Sequence, residues 1–472
     1  MRITLLVLSL SMACTPKATV VPHAETPDAP PPAVFDVAAV DAWANTQLTR
    51  DGIVGAQLVV ARDGAVVMSR SYGATAVGGP PVTDDTAFAI GSVTKQFVCA
   101  AALMLEHEGK LVMSDPVAKY WPSATRATDI TLDDLGSHLS GYPDYYPLDF
   151  VDRRMQAPIA PEDLIARYAG LALDFEPRTR WSYSNTGFIM LGRLVERQAG
   201  TPLGQWLAEH IFVPSGMKHA SLDPPDDAAG LARGHTRFAL GDPEPVAREA
   251  SGWLFGAGGI YASAGDLMRW NFALAGDTVV PVEAKRKLTT PRVLADGRGT
   301  DYGCGLGVRH QGGETLWSHS GAVSGFLAYS AFVPRTRTGV VLLVNTDGAP
   351  AGDLHLALFN LLTTPALAVP IFAGPPAADV ARALFGQLQA GRLEPRGISE
   401  EMAIYYDPKR VAAASKRVRP LGTPTRVEAD RPRERGGMEV TVVRLVFADR
   451  TIRASMYRTP DGVVQQFLLL PD

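Results

Sequence analysis

Apolar residues are grouped in short segments that predict two sets of β-strands far apart in the chain. Segments 56–61 and 65–68 flank Arg62-Asp63-Gly64, which predicts a hairpin with an Asp-Gly turn. Segments 327–333 and 339–345 flank a turn near residues 335–338. The apolar faces of both sets need cover, so we expect the early and late strands to share one antiparallel sheet.

Longer apolar patterns predict helices between these strands. Residues 97–105 are almost uninterruptedly apolar, which predicts a buried helix over about 92–108 that ends at Gly109. Another helix is predicted over about 186–198, before Gly200. Gly and Pro punctuate residues 110–250, which therefore form a mostly helical, loop-rich insertion.

The end of the chain has a pattern of its own. Ala, Gly and Pro are frequent around residues 370–376, which indicates a domain boundary. A helix near 380–388 is followed by predicted strands at 438–447, 451–458 and 463–470, typical of a small α+β domain with a curved meander. Residues 377–472 faintly resemble nuclear-transport-factor-like or cystatin-like domains, and we assign no ligand to them.

The first residues indicate export. Arg2 precedes an apolar run over residues 3–10, too short to span a bilayer, and residues 1–14 end in Ala13-Cys14. This resembles a bacterial lipoprotein processing site with Cys14 lipidated, and plain signal-peptidase cleavage near Ala13 is the alternative. Residues 15–35, rich in Pro and Ala, predict a tether. We expect a membrane-anchored protein that faces the periplasm or the cell exterior.

Composition excludes several functions. The 472-residue chain has a formal net charge of −4 and no basic stripe, so we expect no nucleic-acid partner. Its nine histidines have no metal-ligand spacing, and we expect neither a metal nor a cofactor. An exported protein could pair Cys99 with Cys304, but the favoured interpretation is two buried free thiols.

Ser92-Val93-Thr94-Lys95 stands at the head of the predicted buried helix. Residues three apart on a helix share a face, and a desolvated lysine has a lowered pKa, so Lys95 could take the proton of Ser92. The alternative is an N-cap serine with a snorkelling lysine. A second Ser-x-x-Lys at 215–218 follows Pro214 and contains a glycine, which predicts a solvated loop.

Two further clusters carry candidate chemistry. In Tyr183-Ser184-Asn185, the phenol could exchange a proton and the amide could bind a substrate or the lysine; the alternative is a helix cap with a packed tyrosine. In His319-Ser320-Gly321-Ala322, a strand edge offers free N–H groups; the alternative is a turn histidine and a loop glycine. No Gly-x-Ser-x-Gly elbow occurs.

Together the three clusters resemble the serine β-lactamase and penicillin-binding-protein superfamily, especially its class-C-like and esterase-like branch. The likeness covers about residues 36–365 and includes family-like stretches at 89–92, 137–141, 175–177, 211–217 and 256–261. The resemblance implies an α+β fold. A β-lactamase/transpeptidase-like domain over 36–370, an antiparallel sheet flanked by helices with a mostly helical insertion, would precede the small domain.

The resemblance also implies a serine hydrolase that forms an acyl-enzyme on an ester, D-amino peptide or β-lactam in the bacterial cell envelope. Ser92 would attack, Lys95 and Tyr183 would share the acid and base roles, and Asn185 would orient the substrate. The N–H groups of Ser92 and Ala322 would hold the oxyanion beside Gly321, and His319 would line the cleft.

The alternative is a non-catalytic envelope binding protein that keeps the penicillin-binding fold. Two residues depart from the family pattern. Penicillin-hydrolysing members usually have lysine at position 319, so His319 implies weaker carboxylate recognition. Arg178 stands where the family more often has glycine, which puts the shape of that loop in question.

Overall fold

The computed structural model describes residues 31–32, 35–146, 151–237, 241–311, 313–363, 373–430 and 432–471. The helices are α1 (Val37–Arg50), α2 (Thr94–His107), α3 (Leu132–Gly136), α4 (Pro161–Tyr168), α5 (Thr186–Ala199), α6 (Leu203–Leu207), α7 (Phe255–Gly258), α8 (Ala264–Ala275), α9 (Val282–Leu288), α10 (Ala351–Thr363), α11 (Ala377–Gln389), α12 (Glu400–Tyr405) and α13 (Pro408–Val418). The strands are β1 (Gly55–Arg62), β2 (Ala65–Gly73), β3 (Phe88–Ala89), β4 (Ser221–Leu222), β5 (His235–Thr236), β6 (Glu244–Pro245), β7 (Ile260–Ala262), β8 (Gly307–Gln311), β9 (Glu314–Val323), β10 (Phe326–Val333), β11 (Thr338–Val344), β12 (Arg426–Ala429), β13 (Arg433–Arg435), β14 (Met438–Val446), β15 (Thr451–Arg458) and β16 (Val464–Pro471).

The largest sheet combines strands from early in the chain, β1 and β2, with the later strands β8 to β11. Its strand order is β2-β1-β11-β10-β9-β8, with all neighbours antiparallel. Ala56 of β1 lies opposite Val344 of β11, which confirms that the early and late strands share one sheet. Asp63 and Gly64 form the expected turn, both with positive φ.

Helices cover both faces of this sheet. Leu342 of β11 belongs to the core cluster of α1 and α10, whereas its neighbour Leu343 belongs to the cluster that contains α2, α5 and α8. Every residue of β11 is buried, so the strand is continuously apolar instead of alternating. The mostly helical segment between β2 and β8 covers the face of the sheet to which Leu343 belongs, as expected.

Helix α2 runs through the centre of the larger core. All its residues from Thr94 to Leu105 are buried, and it packs against α5, α7 and α9. The helix begins later than predicted, because Gly91–Val93 form a 3₁₀ turn. Ser92 is half-buried, and it is the only residue between Thr86 and Leu105 that is not fully buried.

The prediction of free thiols at Cys99 and Cys304 is wrong, because the two residues form a disulfide with their α-carbons 5.6 Å apart. The two cysteines approach each other because of the tertiary structure. Gly305 N–H donates to the Gly136 carbonyl, and a Cβ added at Gly305 would lie 2.5 Å from the Lys95 carbonyl oxygen. Backbone therefore packs tightly against α2 at this point and brings the two cysteines together, which no local sequence pattern reveals.

Arg178 shows why glycine suits its position. Its φ is +64°, in the left-handed region that favours glycine. Its guanidinium donates to the Asp134 carboxylate at 2.6 Å, and that carboxylate is fully buried. This ion pair offsets the unfavourable backbone conformation and fixes the loop without changing the residues of the candidate site.

The C-terminal part is a separate small α+β unit. Its sheet has the order β12-β14-β15-β16, with β13 also paired to β14; α11 and α12 contact the sheet, and α13 packs against α11. Alternate residues of β14 are buried, typical of a sheet covered on one face. The predicted helix and three strands are present; α12, α13, β12 and β13 were not predicted.

Several predictions fall outside the described residues. Residues 1–14, including Cys14, and most of 15–35 are among them, as are residues 364–372 near the predicted domain boundary. The domain limits and the likeness of residues 377–472 to known small domains stay predictions. Within the described ranges, no helix is both long and apolar enough to cross a membrane.

Candidate active site

The nucleophile candidate lies on a firmly held turn. Ser92 follows Gly91, whose φ of +49° lets the chain turn from β3 into α2. Ile90 is fully buried, and its N–H donates to the Ile260 carbonyl at 3.0 Å. Ser92 is thus the accessible residue of a rigid element, which suits a group that must be placed accurately.

Lys95 lies one helical turn from Ser92 and is fully buried. Its Nζ is 3.0 Å from Ser92 Oγ, 2.7 Å from Asn185 Oδ1 and 2.7 Å from the Ala257 carbonyl oxygen. A neutral amine has two hydrogens and one lone pair. The amide and carbonyl oxygens only accept, so they take both hydrogens, and the lone pair then faces the Ser92 hydroxyl.

The surroundings of Lys95 favour this neutral form. Burial lowers the pKa of Lys95 from 10.5 to about 7, and the negative charge of Asp144 partly opposes this shift. The rings of Tyr183 and Phe188 lie 4.9 and 5.3 Å from Nζ. The neutral amine is therefore far more accessible near pH 7 than it is for an exposed lysine.

Asn185 is held between Lys95 and Asp144. Its Oδ1 accepts from Lys95, while its Nδ2 lies 3.1 and 3.2 Å from the two Asp144 oxygens and its backbone N–H donates to the same carboxylate at 3.0 Å. In this structure the amide contacts Lys95, one of the two partners that the sequence suggests for it, and its role in orienting a substrate stays a prediction.

Sequence reasoning missed Asp144. The available signal was a carboxylate among the aromatic residues of Tyr142-Pro143-Asp144-Tyr145-Tyr146. A charged residue in such an apolar loop needs a partner when the loop packs. Without a pattern that connects this loop to Asn185, that partner could not be identified.

Tyr183 faces the same cluster. Its hydroxyl is buried and has no hydrogen-bond partner of good geometry among the described residues. Burial raises the pKa of Tyr183, and the neighbouring Ser92 side chain acts in the opposite direction. A protonated phenol beside the nucleophile is a proton donor ready for a leaving group.

The edge of β9 beside Ser92 is unpaired. Val308 N–H donates to the Asp301 carbonyl, so the backbone groups of Val308 point away from β9. Those of the preceding residue, Gly307, point towards β9, and Ser318 lies opposite Gly307 with its own backbone groups directed at β8. Backbone groups alternate along a strand, so Ser320 and Ala322 point to the same edge as Ser318, beyond the last β8 pair. The Ala322 N–H is thus directed towards the turn that carries Ser92.

Gly321 and Gly91 allow this edge to reach the nucleophile. A Cβ added at Gly321 would lie 1.9 Å from the Ile90 carbonyl oxygen and 3.1 Å from Ser92 N. A Cβ added at Gly91 would lie 2.9 Å from Ala322 N. The N–H groups of Ser92 and Ala322 therefore lie on adjoining segments, as an oxyanion hole requires.

Gly321→Ala is expected to lower kcat/KM by about 10²-fold, because the methyl group forces β9 away from Ser92 by a large fraction of an ångström. Steady-state hydrolysis of a chromogenic ester measures the change. Gly299→Ala is the matched control, since an added Cβ there meets no atom within 4 Å. Wild-type activity in Gly321→Ala would show that this close approach is unimportant.

His319 lies on β9 and lines the same region. Its Nε2 is 2.9 Å from the Tyr302 hydroxyl and its Nδ1 is 2.6 Å from the Ser320 carbonyl oxygen. Burial and the charge of Lys95 lower the pKa of His319 to about 4, against the effect of the Ser320 carbonyl. The imidazole is neutral at pH 7.

The structure separates the two Ser-x-x-Lys sequences. Lys218 of the second is exposed, and its backbone N–H donates to Asp266. It lies in the solvated loop that the sequence predicts. Only the first sequence is joined with Tyr183, Asn185, His319, Gly321 and Ala322.

Comparisons with known proteins identify the family to which the chain belongs. The Beta-lactamase family model matches residues 40–363. A D-aminopeptidase from Brucella anthropi is 28% identical over 336 residues, which are 69% of this chain and 62% of that protein. The chain therefore spans less than two thirds of this relative's length.

Two solved structures share the fold at low sequence identity. The octameric penicillin-binding protein homologue from Pyrococcus abyssi has a TM-score of 0.61 and 20% identity, covering 92% of this chain and all of the other. D-amino acid amidase from Ochrobactrum anthropi SV3, complexed with D-phenylalanine, has a TM-score of 0.59 and 20% identity, covering 69% of this chain and 98% of the other. Because the family model covers more than half of the sequence, this chain belongs to the Beta-lactamase family.

Proposed function

We propose that the chain is a serine hydrolase that forms an acyl-enzyme on Ser92 and cleaves amide bonds of D-amino acids or D-peptides. The position of Lys95 carries the proposal. Its Nζ lies 3.0 Å from Ser92 Oγ and 2.7 Å from two oxygens that can only accept, so in the neutral amine the lone pair is left for the serine proton. A lysine buried at a cost in desolvation is expected where its neutral amine is needed.

In the first half-reaction, Ser92 Oγ attacks the amide carbon and its proton passes to neutral Lys95. The carbonyl oxygen becomes an oxyanion held by the N–H groups of Ser92 and Ala322. Tyr183 gives its proton to the leaving nitrogen and is reprotonated from Lys95. Water then attacks the ester carbon and gives a proton to Lys95 or Tyr183; the bond to Ser92 Oγ breaks, Oγ takes that proton back, and the acid leaves.

Two comparisons support the D-amino substrate class. A relative is named a D-aminopeptidase, and a solved neighbour is a D-amino acid amidase. Neutral His319 stands where a permanent cation would bind a substrate carboxylate, so a carboxylate is not the favoured group.

Export and a lipid anchor on Cys14 remain predictions from residues 1–14.

Hydrolysis of D-alanine p-nitroanilide and its L-enantiomer tests the proposal. We expect kcat/KM for the D-form to exceed that for the L-form by about 10- to 100-fold, the range that a difference of pocket contacts supplies. Equal rates would contradict the D-specificity. Absence both of labelling by a fluorescent penicillin and of turnover of any amide, ester or nitrocefin would favour the alternative, a non-catalytic envelope binding protein.

A further inference from the structure

A continuous hydrogen-bonded chain of three side chains, those of His138, Tyr302 and His319, lies beside Tyr183. Ser184 N–H is 3.1 Å from His138 Nδ1, His138 Nε2 is 3.3 Å from the Tyr302 hydroxyl, and that hydroxyl is 2.9 Å from His319 Nε2. His319 Nδ1 meets the Ser320 carbonyl oxygen at 2.6 Å. His138 and Tyr302 are buried, with exposed fractions of 1% and 7%.

The two ends of this chain fix the direction of every hydrogen bond. A backbone N–H can only donate, so His138 Nδ1 is bare and its proton is on Nε2, which donates to Tyr302. A backbone carbonyl can only accept, so His319 carries its proton on Nδ1 and its Nε2 accepts from Tyr302. In their neutral forms, His138, Tyr302 and His319 thus each use every donor and acceptor that faces another member of this hydrogen-bonded row.

This arrangement leaves His319 without an N–H for a substrate. We infer that Tyr302 is a specificity-determining residue that keeps the site from recognising a free carboxylate on the leaving group, by holding His319 as a neutral acceptor. His138 is a positioning residue that orients the Tyr302 hydroxyl. The inference rests on the proposed function, because it names which D-amino substrates the same site accepts.

Protonation of His319 would break the chain. Two imidazole N–H groups would then point at the Tyr302 oxygen, and the Tyr302 proton would lose its acceptor. The groups that face His319 are Lys95 from α2, Tyr183 from the segment before α5, Tyr302 from the segment before β8, and the Ser320 carbonyl. None is an anion that would stabilise an imidazolium.

The backbone at His138 indicates that this placement is imposed by the fold. His138 has a φ of +61°, which is uncommon for a residue with a side chain. The Ser182 N–H donates to its carbonyl at 3.2 Å, and its ring packs 4.2 Å from the Tyr183 ring. A strained residue held by its surroundings is frequent where a functional group must be fixed.

Tyr302→Phe tests the inference by removing one hydroxyl. Freed from Tyr302, His319 Nε2 can take a proton and bind a carboxylate. At pH 5.5 the ratio of kcat/KM for D-alanyl-D-alanine to that for D-alanyl-D-alanine amide is expected to rise about 10- to 100-fold, mainly through KM, as for one hydrogen bond between charged groups. At pH 8 the rise should vanish, because the imidazole is neutral again. A merely structural role would not produce this pH-dependent change.

Tyr406→Phe is the matched control, since it removes a hydroxyl that donates to the Phe467 carbonyl in the C-terminal unit. A ratio in Tyr302→Phe equal to that of the control at both pH values would overturn the inference.

A second measurement does not depend on turnover. In protein labelled with ¹⁵N-histidine, wild-type His319 should remain a neutral Nδ1–H tautomer down to pH 5, and Tyr302→Phe should move its titration upwards. Wild-type titration near pH 6.5 would overturn the inference. If the wild type hydrolysed no substrate, the proposed function would fail, while this titration would still decide whether Tyr302 holds His319 neutral.

Discussion

Ser92→Ala is expected to abolish covalent labelling by a fluorophosphonate or fluorescent penicillin and to lower kcat by about 10⁴- to 10⁶-fold. The substitution removes the hydroxyl that lies 3.0 Å from Lys95 Nζ, and Ser92 is the accessible residue of an otherwise buried segment. A water molecule in place of the hydroxyl cannot form an acyl-enzyme. Gel fluorescence after labelling and steady-state hydrolysis of a p-nitrophenyl ester measure the two effects.

Ser215→Ala is the matched control, because Ser215 begins the second Ser-x-x-Lys sequence, whose lysine is exposed. It should be labelled and active like the wild type. If Ser92→Ala were still labelled at the wild-type level, with the label mapped to another residue by mass spectrometry, the assignment of the nucleophile would be wrong. Near-ultraviolet circular dichroism of both variants checks that the fold is kept.

Lys95→Met is expected to lower kcat/KM by about 10²- to 10⁴-fold, the usual contribution of a positioned general base. Methionine is of similar length and carries no charge, so it removes the amine without opening a large cavity. In the wild type, kcat/KM should rise with pH through a midpoint of about 7, since the protonated amine cannot accept the serine proton. In Lys95→Met this rise should be absent.

Lys218→Met provides the control, with an unchanged rate and pH profile, because Lys218 is exposed in a loop. A wild-type midpoint near 10.5, the ordinary lysine value, would show that burial does not set the pKa of the base. Retention of the rising limb in Lys95→Met would assign it to another group. Measurements with a substrate that has no ionisable group remove titration of the substrate from the profile.

The local part of this site is readable from sequence. Ser92 and Lys95 are three residues apart in an apolar segment, so their shared face and the burial of the amine follow from helix geometry. The hairpin at Asp63-Gly64 and the helix ending at Gly200 have equally local causes. The shared sheet was also predictable, because the apolar strands at both ends needed a common core.

The parts that escaped prediction depend on tertiary contacts. Asp144 acts through Asn185 across 41 residues, and Cys99 meets Cys304 across 205. Tyr302 acquires its role only because β8 and the turn after α3 bring it between two histidines. Neither spacing nor composition encodes such encounters, whereas each follows at once from the path of the chain through the fold.

The register of β1 against β11 has a consequence for how the protein matures. Ala56 of β1 can pair with Val344 of β11 only after the whole segment between them has been made, so this strand pair closes late and at a high entropic cost. Until then β1 and β2 expose an apolar surface without its central neighbour. A chain that ends before β11 lacks the strand that joins β1 to β10 and β9, so the Ala322 edge meets Ser92 only once the core is complete.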